Sequence, residues 1–111
     1  MGLYVFRKED KIRKRGDFQR VFKEGAKYQT PYFRISISPN GLSHCRLGIT
    51  TGKKVGSAVQ RNLLKRRIRE FFRLNKSRFP GSSDLVITAK QGAASLNFGQ
   101  ISEELKGLFR G

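Results

Sequence analysis

The chain has 111 residues, with 24 Lys and Arg against 8 Asp and Glu, giving a formal net charge of +16. That length fits one domain, residues 1–111, with a modest core, since 37% of its residues are hydrophobic. Such an excess of charge repels itself in the compact state and is relieved by a polyanion, so nucleic acid is the first partner to expect, ahead of an anionic membrane. The only apolar run near the N-terminus, residues 3–6 (LYVF), is too short for a signal peptide or a span. After Met1-Gly2, Phe6 stands where a myristoylation signal needs Ser or Thr. A single cysteine, Cys45, leaves no internal disulfide and fits a reducing compartment, so a cytoplasmic location is expected.

Residues 7–15 (RKEDKIRKR) close a basic N-terminal arm, 1–15, expected to be extended or partly flexible, with Ile12 alone for anchorage. Residues 16–25 predict a short helix, with Phe18, Val21 and Phe22 at i, i+3 and i+4 and Gly25 as the C-terminal cap. From 28 to 38 the period becomes two: Phe33, Ile35 and Ile37 alternate with Tyr32, Arg34, Ser36 and Ser38, the pattern of a half-buried strand. Pro39-Asn40-Gly41 is turn chemistry. Residues 46–51 predict a second strand, with Leu47 and Ile49 on one face and Gly48 and Thr50 on the other.

A helix follows over 57–75, where Ser57 and Gln60 have the spacing of a capping box. Pro80-Gly81-Ser82-Ser83 breaks the chain, residues 84–90 (DLVITAK) predict a strand, and 95–109 predict a last helix with Ile101, Leu105 and Leu108 along one side. The order suits a mixed α/β sandwich of two layers.

The helix over 57–75 separates its residues by type. Leu64, Ile68, Phe71 and Phe72 form one stripe, flanked by Leu63 and Leu74. Arg61, Lys65, Arg69 and Arg73 form an i, i+4 ladder on another, with Asn62, Arg66 and Lys76 beside it and only Arg67 near the apolar side. Like charges at this spacing each cost about 0.2–0.5 kcal/mol. A charge run is usually just a solvated face, but here Glu70 is the only acid among the cations. An external anion then offsets the repulsion better than solvent does. Lys53 and Lys54 precede the helix N-terminus, whose free N–H groups also attract phosphate, and guanidinium groups match phosphate oxygens in pairs. Asn62 suits a base edge or a phosphate, or is simply exposed.

The stretch 53–70 (KKVGSAVQRNLLKRRIRE) resembles the signature of the bacterial ribonuclease P protein component, the small basic subunit of a tRNA-processing ribonucleoprotein. GDFQRVFKEG, FRISIS, LGITTGKK and DLVITAK extend the resemblance over most of the chain. One departure stands out: the family's Arg-Asn-Arg is here Arg61-Asn62-Leu63, which removes a charge that Arg66 and Arg67 lie close enough to replace.

The resemblance implies an α+β fold, a four-stranded mixed sheet with packed helices in the order α-β-β-β-α-β-α and a left-handed βαβ crossover. It further implies two RNA surfaces and no DNA partner. Lys53, Lys54, Arg61, Asn62, Lys65, Arg66 and Arg69 would dock on the catalytic RNA subunit. A cleft between the first helix and the open sheet face would hold the single-stranded 5′ leader of precursor tRNA. Phe18 and Phe22 lie one turn apart, a spacing that serves stacking on unpaired bases and plain core packing equally; the resemblance favours the cleft. Tyr32, Arg34 and Ser36 would share its sheet face, with Lys90 at the end of the last strand.

Protein ribonucleases use paired histidines or carboxylates holding metals. This chain has one histidine, His44, which with Cys45 reads as a loop or strand-edge residue. Glu103-Glu104 point to different sides of a helix, and no Cys/His spacing suggests zinc. No catalytic side chain is expected. The resemblance assigns Mg2+ and hydrolysis to the RNA subunit, with leader removal belonging to the holoenzyme. A basic non-enzymatic RNA-binding module, such as a ribosomal protein or RNA chaperone, is the alternative reading of composition alone.

Overall fold

The structure, a computed structural model, describes residues 8–79 and 82–109. The chain before Lys8 and the expected break at Pro80-Gly81 lie outside them. Helix α1 (Arg15–Glu24) leads into strands β1 (Ala26–Gln29), β2 (Phe33–Pro39) and β3 (Arg46–Thr50). Helix α2 (Ala58–Leu74), strand β4 (Ser83–Ala89) and helix α3 (Phe98–Leu105) follow. The strands form one sheet in the order β1-β2-β4-β3. β2 runs antiparallel to β1 and β4, and β3 runs parallel to β4, so α2 is the crossover of a parallel unit.

Side-chain alternation gives the sheet two different faces. Phe33, Ile35, Leu47, Leu85 and Ile87 join Leu64, Ile68, Phe71 and Phe72 of α2 and Ile101 and Leu105 of α3 in the main core. The sandwich of sheet with α2 and α3 therefore rests on the apolar stripe read from α2. On the reverse face Val86 meets Ile12 and Val21, with Phe18 packed alongside. β4 lies between two strands and is buried on both faces, which explains its nearly unbroken apolar run.

Three boundaries differ from the sequence expectation, each for a local reason. The run 28–38 is two strands, because the chain reverses at Thr30-Pro31-Tyr32; the Thr30 N–H donates to Phe33 O at 2.8 Å and the Phe33 N–H to Thr30 Oγ1 at 3.0 Å. A period of two persists through such a reversal and does not report it. The last helix begins at Phe98, not 95, because Asn97 is extended and forms a capping box with Gln100. Short 3-10 turns, Ala93–Ser95 and Lys106–Phe109, flank it. The described part of the arm is docked. Lys8–Asp10 forms a 3-10 turn, the Ile12 N–H donates to Leu47 O at 3.0 Å, and buried Asp10 accepts from Lys76 Nζ at 2.8 Å. The arm thereby covers the edge of β3 that would otherwise stand open. α2 itself is as expected, with Ser57 and Gln60 completing both bonds of the capping box.

Two glycines are fixed by close approach. Gly25 does end α1, but with φ −72°; a Cβ there would lie 2.5 Å from Val21 O and 2.9 Å from Ile37 O. A Cβ at Gly48 would lie 2.5 Å from the Phe18 ring, so β3 leaves a seat for that ring. Gly48→Ala is expected to unseat Phe18 and cost about 1–3 kcal/mol, read as a lower urea midpoint at unchanged slope.

Candidate nucleic-acid interface

The apolar stripe of α2 faces the core and turns the basic face outward. Lys53, Lys54, Asn62 and Arg66 are exposed, and Arg61, Lys65 and Arg69 are half-buried. Among the described residues no carboxylate lies within 4 Å of any of these cations. Arg61 only donates Nε to Ser57 O at 3.4 Å. The ladder is shorter than the helical wheel indicates. Arg73 is held by Glu70, Nη2 to Oε2 at 2.6 Å, a bond that keeps the Glu70 carboxyl below its ordinary range. Lys76 is held by Asp10. Arg67, read as near the apolar side, reaches Leu96 O at 2.7 Å. Leu63 is 40% exposed, so the uncharged position of the motif still faces outward.

On the reverse face α1 covers the sheet at one end and leaves a cleft of about 560 Å³ at the other. Phe22, Tyr28, Arg34, Ser36, Thr50 and Thr88 line it. Phe22 is 41% exposed and Tyr28 43%, while the Thr50 hydroxyl donates to Thr88 Oγ1 at 2.8 Å across the floor. The two phenylalanines of α1 thus divide: Phe18 is seated on Gly48 beside the small core cluster, and Phe22 is open to solvent.

Two expected cleft residues stand differently. Tyr32 packs against the main core on the other side of the sheet, and its N–H donates to Glu104 Oε1 at 3.3 Å. It precedes β2, within the reversal, so strand alternation does not apply to it. Lys90 does not line the cleft, and its ammonium is engaged with Gln29 Oε1, which does, at 2.9 Å and with Thr30 O at 2.8 Å. Tyr28 and Lys27 enter the cleft from β1, a strand that sequence periodicity did not separate.

The covered end of the reverse face holds an ion network that sequence reasoning missed. Asp84 is fully buried and accepts from Arg46 in bidentate fashion, Nε to Oδ1 at 2.8 Å and Nη2 to Oδ2 at 2.6 Å. It also accepts from Arg20 Nη2 at 2.5 Å and Asn40 Nδ2 at 2.9 Å. Burial pushes the Asp84 carboxyl up, but the bonds from Arg46 and Asn40 and the nearby guanidinium charges outweigh it, so it lies below its ordinary range. The same bond raises Arg46. An acid opening an otherwise apolar strand was the available signal.

The remaining acids are largely occupied: Glu103 with Lys106, Asp17 with Arg46 at 3.5 Å, and Glu104 with the Tyr32 N–H. Among the described residues no three His, Cys, Asp or Glu come together in a way that fits a metal ion. His44 Nε2 bonds Glu9 O at 2.9 Å and Cys45 is buried. No helix of the described residues is long and apolar enough to cross a membrane.

The chain is similar to known proteins over most of its length. The family model for Ribonuclease P matches residues 6–111. The chain belongs to the ribonuclease P protein family. It is 46% identical to the ribonuclease P protein component of Syntrophus aciditrophicus, over 95% of this chain and 88% of that one. It is 49% identical to that of Citrifermentans bemidjiense, over 94% and 89%. A structure of a Staphylococcus aureus RNase P protein mutant with defective mRNA degradation activity superposes with a TM-score of 0.85 at 36% identity, covering 93% of this chain and 87% of that one. Membership makes the chain the protein subunit of ribonuclease P, a tRNA-processing ribonuclease that includes an RNA subunit, and sets aside the general RNA-binding module.

Proposed function

We propose that the protein acts as a single RNA-binding domain that brings two RNAs together on two faces, leaving the chemistry to one of them. The basic face of α2, with Lys53, Lys54, Arg61, Asn62, Lys65, Arg66 and Arg69, docks on the catalytic RNA subunit. The guanidinium groups bond phosphate oxygens in pairs, and Asn62 offers an amide to a base edge or phosphate. The cleft receives the 5′ leader of precursor tRNA. Phe22 stacks on an unpaired base, Arg34 neutralises a phosphate, and Ser36 lies on the floor. Phe18 shapes the groove from its seat on Gly48. A phosphate arriving near Lys90 exchanges for the Gln29 amide oxygen.

The observation that carries this reading is the contrast between two sets of cations. Arg20, Arg46, Arg73 and Lys76 are matched with carboxylates, whereas those on the outer face of α2 are not. Bound Mg2+ would activate a water as the nucleophile and stabilise the leaving oxygen in such a reaction. Among the described residues no three carboxylate, His or Cys side chains converge to hold it, and this reading assigns the ion and the hydrolysis to the RNA subunit. A single cysteine fits a reducing compartment, so this reading places the complex in the cytoplasm.

Leader recognition predicts selectivity, because mature tRNA lacks the leader. Phe22→Ala is expected to weaken precursor binding by the holoenzyme about tenfold, the stacking of one base being worth about 1–3 kcal/mol. Mature tRNA binding and assembly with the RNA subunit should stay as they were. Equal loss for precursor and mature tRNA in a filter-binding titration would remove the cleft from the account.

A further inference from the structure

We infer that Val59 and Leu63 form an apolar step on the outer ridge of α2 that packs against the face of an unstacked base of the RNA subunit. This rests on the docking reading above and adds to it two residues and a kind of contact, apolar instead of ionic, which that reading does not contain.

Among the described residues six large hydrophobic side chains are exposed, and three of them stand on α2. Phe22 and Tyr28 line the cleft, and Leu42 lies between β2 and β3. Val59 is the most open of all at 77%, and Leu63 follows one turn later. Neither belongs to either core cluster. Isolated apolar side chains on a surface need no explanation, but these two are neighbours. They stand at i and i+4, and Arg66 continues the same ridge at i+7. A β-branched valine is also a poor choice for an exposed helical position, where alanine or lysine serves the helix better. Folding therefore gives no reason for the pair.

The surroundings of the pair point to what covers it. Asn62 stands at i+3 from Val59 and Arg66 at i+3 from Leu63, and both are exposed. The Glu70–Arg73 ion pair closes the ridge on its C-terminal side. An apolar strip rimmed by an amide and an unmatched guanidinium suits a flat ring carried on a phosphate backbone. The base face covers the strip, and Arg66 takes the adjoining phosphate. A second copy of the chain suits it poorly, because each copy carries a net charge of +16 and two such faces would repel. The cleft opens on the other side of the sheet, so the base belongs to the RNA subunit and not to the leader.

The test titrates assembly of the protein with its cognate catalytic RNA across a salt series. Val59→Ala/Leu63→Ala is expected to weaken assembly about tenfold, by the same factor at every salt concentration, because an apolar contact releases no counterions. Alanine suits a helix at both positions, so folding is spared. Val59→Met/Leu63→Met keeps an apolar strip and should retain most of the affinity. Leu42→Ala removes a leucine as exposed as Leu63 but away from α2, and should change nothing. Unchanged affinity in the alanine double variant, a flattened salt slope, or an equal loss in Leu42→Ala overturns the inference. So does self-association of the free protein that the alanine variant abolishes without loss of RNA affinity, which would give the strip to a second copy. Arg66→Ala in the same titration separates the two levels. If it weakens assembly and flattens the slope while the apolar pair is silent, only the apolar step fails; if neither matters, the docking face fails as well.

Discussion

Asp84→Ala is expected to cost about 3–5 kcal/mol of folding stability, because removal of one member of a buried ion pair leaves its partners desolvated and unmatched. Asp84 is fully buried and accepts from Arg46, Arg20 and Asn40, three groups brought together from β3, α1 and the turn after β2. A domain of this size has about 5–15 kcal/mol in total, so the variant should be largely unfolded in moderate urea. The pH dependence has a definite sign. The carboxyl is depressed in the folded state, so its stabilisation is complete above the unfolded value of about 3.9 and is lost as pH falls through the lower folded value. Urea titrations at neutral pH and in acid should therefore show the difference between wild type and Asp84→Asn shrinking in acid. A difference that grows in acid would contradict the assignment.

Arg61→Ala and Arg66→Ala should each weaken assembly with the RNA subunit about tenfold, a charge-assisted bond to phosphate being worth about 1.5 kcal/mol or more. Each should also flatten the salt dependence by about 0.9 in slope, taking the value for a phosphate contact on duplex DNA. Arg73→Ala is the informative comparison. It lies on the same i, i+4 ladder, but Glu70 already holds its guanidinium, so assembly should remain close to wild type. Equal losses at Arg61, Arg66 and Arg73 in a salt-dependent binding titration would mean that net charge alone drives assembly.

The sequence was legible where one short-range rule decides the outcome. The segregated faces of α2 and its capping box appear in the structure as the sequence implies. Phe33, Ile35 and Leu47 turn to the core as alternation requires, but Ser36 and Ser38 on the polar face of β2 are buried as well. Illegible features depend on contacts between distant segments. Asp84 meets Arg20 and Arg46 across 64 and 38 residues of chain, and Asp10 meets Lys76 across 66; no local pattern reports either. The same limit explains the arm, where the single anchor Ile12 was visible but the buried Asp10 was not. Tyr32 was misplaced because alternation was extended one residue past the strand into a reversal. The roles of Phe18 and Phe22 were ambiguous for a related reason. Their spacing on α1 is equivalent, and only the bare backbone at Gly48 makes one a packed ring and the other an open one.

The division of labour is tested most directly by single-turnover cleavage of a precursor tRNA across a magnesium series, using the cognate catalytic RNA alone, this protein alone and the two together. The expected result is no cleavage by the protein at any magnesium concentration, and cleavage by the RNA that moves to lower magnesium when the protein is added. Cleavage by the protein alone, or a magnesium dependence that the protein leaves unmoved, would contradict it.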